Sequence, residues 1–120
     1  MMSASDYRQI IVMRNDLNMR KGKMVAQGAH ASVKVTLENL NHPNVKAWLA
    51  DAFTKITLKV ESEKELKDIY ETARTAGLPC SIILDAGRTE FAGVPTLTCC
   101  AIGPARKEDL DKITGHLRLL

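Results

Sequence analysis

The run Gln9 to His30, Q-I-I-V-M-R-N-D-L-N-M-R-K-G-K-M-V-A-Q-G-A-H, decides the fold. Its four consecutive large apolar residues, Ile10 to Met13, read as a buried strand. A polar turn follows, and a helix begins at about Gly22 or Lys23 and continues to Leu40. A strand, a basic glycine-containing turn and a helix start make a place where anions bind. The backbone N–H groups of the first helical turn and the positive end of the helix dipole both favour negative charge, and Arg20, Lys21 and Lys23 add full charges. Further along, Lys23, Gln27, His30 and Lys34 recur at spacings of four, three and four, so they share one face. The rest of the circumference is largely apolar (Met24, Val25, Ala29, Val33, Val35, Leu37), which predicts a helix buried on most sides with its polar stripe lining a cleft. Periodicity alone is equally consistent with two solvated lysines and a hydrogen-bonded packing histidine.

Outward from this run, Asn41-His42-Pro43 ends the helix, and Pro43 suits the first turn of a short second helix carrying Val45, Trp48 and Leu49 inward. Lys55 to Val60 alternates strictly, with Ile56, Leu58 and Val60 on one side, and predicts a strand at or near a sheet edge. Ser62 and Glu65 form a capping box for a third helix, which Gly77 and Pro79 stop. A third strand spans Cys80 to Leu84 and delivers Asp85 at its carboxyl end, where ligand crevices of open α/β sheets lie. Asp85 before Ala-Gly is equally a turn former. A loop rich in glycine and proline leads to a fourth strand, Thr96 to Ile102, which Gly103-Pro104 is expected to break. A short helix over about Lys107 to Ile113 and an apolar tail, Leu117 to Leu120, complete the chain. The order β-α-α-β-α-β-β-α predicts an α/β fold, a three-layer α/β/α domain spanning residues 1–120 on a four-stranded mixed sheet, its last two strands antiparallel if adjacent.

Composition narrows the function. At 120 residues, 45% hydrophobic and 26% charged, the chain has the profile of one soluble globular domain. No apolar run approaches the roughly 20 residues of a bilayer span, and the N-terminus lacks an apolar signal segment, so a cytoplasmic location without a membrane partner is expected. Three cysteines, two of them adjacent, suit a reducing compartment rather than a disulfide framework. No Cys/His spacing for zinc is present, and neither metal nor cofactor is expected. Residues 1–34 hold six basic against two acidic residues, whereas 61–75 hold five acidic against three basic. This asymmetry points to a directional anionic partner. The G-K pair lacks the earlier glycine and the following Ser or Thr of a nucleotide-triphosphate loop, which excludes that class.

The run R-N-D-L-x-M-x-K-G-K-x-x-A-Q-x-x-H-A resembles the N-terminal signature of the type II peptidyl-tRNA hydrolases. D-A-G-R-T at Asp85 to Thr89 and A-I-G-P followed by I-T-G-H-L-R-L-L match the same family, in order, over about Tyr7 to Leu120. The resemblance implies hydrolysis of the ester joining an N-blocked amino acid or peptide to the 3′ ribose of tRNA, and often a homodimer. Carried over by motif, the functional lysine falls on Lys23, the aspartate on Asp85 and the threonines on Thr89 and Thr98. Asp85 would orient or activate water, and Lys23 would stabilise the oxyanion or hold the terminal phosphate. Gln27 and His30 extend the substrate-facing stripe, and Arg14, Arg20, Lys21 and Arg88 would meet the tRNA backbone. The interval before A-I-G-P is longer than the family pattern, so E-F-A-G-V-P is a remodelled loop bearing on substrate choice. Two other readings fit the same surface: an RNA-binding module without turnover, and a domain for a small anion. Cys80, Cys99 and Cys100 lie in apolar strands, where thiols are inert, which leaves a covalent route unsupported.

Overall fold

The computed structural model describes residues 6–88 and 90–120. Its elements are β1 (Tyr7–Arg14), α1 (Lys21–Glu38), α2 (Pro43–Leu49), β2 (Lys55–Val60), α3 (Glu63–Thr75), β3 (Cys80–Asp85), β4 (Thr96–Arg106), α4 (Lys107–Thr114) and β5 (Arg118–Leu119). One mixed sheet runs β3-β4-β1-β2-β5, with β1 and β2 parallel and the other neighbours antiparallel.

Alternation along each strand feeds two separate cores. Ile10, Val12, Leu58, Val60, Cys100 and Ile102 meet Leu66, Ile69 and Ala73 of α3 and Leu110 and Ile113 of α4 on one face. On the other face Ile11, Met13, Cys99 and Ala101 meet Ala31 and Val35 of α1. Capping fixes where the helices begin. Ser62 accepts a hydrogen bond from the Glu65 amide at 3.0 Å and His42 Nδ1 one from Asn44 at 3.1 Å, each closing an otherwise open first-turn donor.

The sheet has five strands rather than four. The tail pairs Leu119 with Leu58 and Arg118 with Lys59, a short edge strand whose partner, not its own pattern, makes it one. Leu117 packs on the core, but Leu119 and Leu120 stay exposed. β2 is therefore one strand in from the edge. Gly103-Pro104 does not break β4 either, which continues to Arg106 opposite Tyr7. The register slips between Arg8 and Ile10 at this point, so the pair sits at a bulge. Gly103 adopts φ +96°, and a side chain there would meet the Arg8 carbonyl oxygen at 2.9 Å. A proline, which offers no ladder donor, is tolerated at such a place.

α1 is less buried than its composition predicts. It lies over β3, β4 and part of β1, and its outer flank of Val25, Val33 and Leu37 is exposed. Its polar stripe runs along the sheet edge formed by β3. Lys34 Nζ donates to the Ile82 carbonyl at 3.1 Å, and the Ser81 hydroxyl donates to Glu38. The Lys34 contact occupies a backbone carbonyl on an edge that would otherwise offer it unpaired. Together the two contacts hold the end of α1 against the start of β3, so the helix, running the opposite way, brings its own start to the end of β3.

Candidate active site

At that junction the Lys23 ammonium stands 2.7 Å from Asp85 Oδ1. Gln27, one turn further along α1, donates to the same oxygen at 3.1 Å, and the Gly87 amide donates to Oδ2 at 2.8 Å. The last contact is a side chain closing onto the backbone two residues on, which is why an aspartate followed by Ala-Gly suits this turn. Gly87 has φ +79°, and any Cβ there would lie 2.3 Å from the Val94 carbonyl oxygen. Only glycine lets the loop fold back so closely.

All three donors favour the ionised carboxylate, with Lys23 the largest influence, and together they hold the Asp85 carboxyl below its ordinary value of 3.8. Lys23 and Asp85 are mostly shielded, with side-chain exposures of 17% and 15%, so the pair is only partly screened by water. Arg20 precedes α1 without a side-chain cap, and the first turn carries no acidic residue. That helix start is therefore electropositive beside the pair.

A second layer holds Gln27 in place. It is 2% exposed, and its backbone carbonyl accepts from the Cys99 thiol at 3.3 Å. Burial raises the Cys99 pKa to about 11, so the thiol stays protonated and able to donate. The Thr98 hydroxyl approaches Cys99 Sγ at 3.8 Å. Thr98 is fully buried, and the register shift that pairs Ile83 with Cys99 and Leu84 with Leu97 leaves it without a cross-strand partner.

The family described as "Peptidyl-tRNA hydrolase PTH2" matches residues 7–120. The chain belongs to this family. It is similar to a peptidyl-tRNA hydrolase of Methanocaldococcus jannaschii, 54% identical over 115 residues covering 94% of this chain and 99% of that one. It is also similar to peptidyl-tRNA hydrolases of Methanococcus maripaludis strain C7, 46% identical with 95% and 99% covered, and of Sulfurisphaera tokodaii, 46% identical with 94% and 98% covered.

The residues brought forward by the resemblance to peptidyl-tRNA hydrolases divide into three groups. Lys23, Gln27 and Asp85 meet directly. Arg20, Lys21, His30 and Arg88 are exposed. Arg14 turns inward instead: its guanidinium pairs with Asp16 at 2.7 Å and donates to the Leu97 carbonyl at 3.1 Å, bracing β1 against β4 rather than reaching outward. Thr98 has no open surface for a substrate to touch, and Thr89 lies outside the described residues. Sequence reasoning missed Cys99, whose role depends on a carbonyl 72 residues away. It also missed Phe91, whose ring centroid lies 5.8 Å from Lys23 Nζ. A lone aromatic in the loop between Asp85 and Thr96 was the available signal.

Proposed function

We infer that this chain is a peptidyl-tRNA hydrolase, releasing an N-blocked amino acid or peptide from the 3′ end of tRNA. The observation that carries the reading is the 2.7 Å contact between Lys23 and Asp85, 62 residues apart, at the carboxyl end of β3 and the start of α1. In the proposed mechanism Asp85 accepts a hydrogen bond from water and aims it at the ester carbonyl. A carboxylate offers about four acceptor positions, and Lys23, Gln27 and Gly87 take three. The remaining position is the one assigned to water. As water attacks, negative charge grows on the carbonyl oxygen and Lys23 supplies the compensating charge. The bond from carbonyl carbon to the ribose 3′ oxygen then breaks, and that oxygen leaves with a proton derived from the water.

Arg20, Lys21 and Arg88, exposed around the site, are proposed to meet backbone phosphates, contacts that position tRNA without reading its sequence. Arg14 is better assigned to holding Leu97 than to touching tRNA. The chain is proposed to work as one domain in the cytoplasm, where its three free cysteines suit a reducing compartment. No helix among the described residues is long and apolar enough to cross a membrane. The test is release of N-acetyl-aminoacyl groups from charged tRNA, beside unblocked aminoacyl-tRNA. Turnover should be confined to the blocked substrate and fall in Asp85→Asn on the order of 10²-fold or more. Full activity in that variant would remove Asp85 from the mechanism.

A further inference from the structure

Next to the Lys23–Asp85 pair lies a cavity of about 490 Å³ lined by Leu17, Asn18, Arg20, Glu90 and Phe91. Phe91 joins the two: it packs on the edge of the core beneath α1, lines the cavity, and stands 5.8 Å from the Lys23 ammonium. The cavity thus combines an aromatic ring, a guanidinium beside an electropositive helix start, and an amide and a carboxylate that can accept hydrogen bonds. We propose that it holds the terminal nucleoside of the tRNA, with Phe91 stacking on the adenine. This rests on the hydrolase reading above and names the subsite that reading lacks.

The chemistry matches in each part. A single-stranded terminal base presents a free face, and aromatic side chains are the usual platform for such bases. Asn18 and Glu90 supply acceptors for the exocyclic amine of adenine, an edge that amide side chains read well. Arg20, at the N-cap of α1, is placed for the phosphate on the 5′ side of that nucleoside. With the base on Phe91, the ribose that bears the ester falls on the Lys23 side, toward Asp85. A pocket for the amino-acid side chain would have little use for a guanidinium and a carboxylate, since the side chains it must accept differ in charge and size.

The experiment uses two 5′-fluorescein-labelled RNA tetranucleotides, A-C-C-A and the same chain ending in an abasic ribose, titrated against the wild type, Phe91→Leu and Phe91→Trp. Stacking predicts that the wild type prefers the complete chain by about tenfold or more, that Phe91→Leu loses the preference and that Phe91→Trp keeps it. In turnover Phe91→Leu should raise KM by a similar factor with kcat little changed. Retained preference in Phe91→Leu would overturn the proposal. A changed choice between N-acetyl-glycyl- and N-acetyl-phenylalanyl-tRNA would equally overturn it, by giving the cavity to the amino acid. A wild type that discriminates the tetranucleotides through Phe91 but hydrolyses nothing keeps the subsite and removes the hydrolase reading. Turnover without discrimination does the reverse.

Discussion

Three hydrogen bonds converge on the Asp85 carboxylate, from Lys23, Gln27 and the Gly87 amide, and each is strongest when the group is ionised. A carboxylate held toward its ionised form is a weaker proton acceptor than a free one, which favours orientation of water over its full deprotonation. The same bonds link protonation to stability. The folded pKa of Asp85 lies below its ordinary value of 3.8. Its contribution is therefore fully present above that value and is lost as pH falls through the lower, folded one. Thermal unfolding of wild type and Asp85→Asn should differ by about 2 kcal/mol at neutral pH, the scale of a hydrogen bond to a charged group. The difference should hold constant down to pH 5 and narrow only below about 4. A gap that instead closed between pH 7 and 5 would mean that the carboxyl titrates near neutrality and that general-base action is in play. Gln27 gives a second handle. Because its side-chain amide donates to Asp85 while Cys99 holds only its backbone carbonyl, which an alanine keeps, Gln27→Ala should lower kcat while sparing KM, as read from saturation curves with blocked aminoacyl-tRNA.

Among the elements, the loop from β3 to β4 is the one on which the site depends most. Gly87 and Gly93 both have φ near +80°, at +79° and +80°, yet only Gly87 has backbone within reach of a Cβ. Each alanine variant carries the left-handed strain of about 1–2 kcal/mol, and Gly87→Ala adds the clash with Val94. Differential scanning calorimetry should rank Gly87→Ala well below Gly93→Ala in stability, and activity should fall with Gly87→Ala because its amide holds Asp85. Equal effects would show that the loop relaxes freely. How far such elements were legible depended on whether their cause was local. Lys55–Val60 was readable to the residue because its alternation is strict, and Ser62 because capping is a short-range bond. β5 and the continuation of β4 past Pro104 were not, since both exist through a partner strand elsewhere in the sequence. Lys23 and Asp85 could each be placed at the end of an element from pattern alone. The lack of a β3 partner for Thr98 could not be read that way, because it follows from a register slip between β3 and β4.

At the scale of the whole molecule, the outer flank of α1 is what the fold leaves unfinished. Val25, Ala29, Val33 and Leu37 repeat every four residues, forming one ridge on which Leu37 is 63% exposed. Beside the ridge runs a groove of about 650 Å³ between α1 and strands β1 and β2, lined by Ile11, Met13 and Thr57 among others. It continues into a smaller hollow lined by Val33, Leu37, Leu49 and Phe53. The exposed apolar side chains Val25, Val33, Leu37, Leu49 and Phe53 run together here, as apolar side chains do on surfaces that partners cover. Ridge and groove lie on the same face, so one copy can seat its ridge in the groove of another about a twofold axis, by the packing of rows four residues apart. The homodimer that the family resemblance implies is accordingly proposed to form here. Lys23 and Gln27 lie on a different flank of α1 from the ridge, facing Asp85, so dimerisation and the chemical step should separate even though Lys21 lines the groove. Light scattering coupled to size exclusion should give about twice the 13.2 kDa chain mass for the wild type and the single-chain mass for Val33→Glu/Leu37→Glu. Two buried glutamates per protomer cannot pair across a twofold that brings like charges together. Activity per protomer should stay within about twofold of the wild type, well under the factor of ten that 1.4 kcal/mol represents. A wild type that elutes as a monomer at micromolar concentration would remove the dimer. A dissociated variant that loses turnover as well would mean that the second copy supports the site itself.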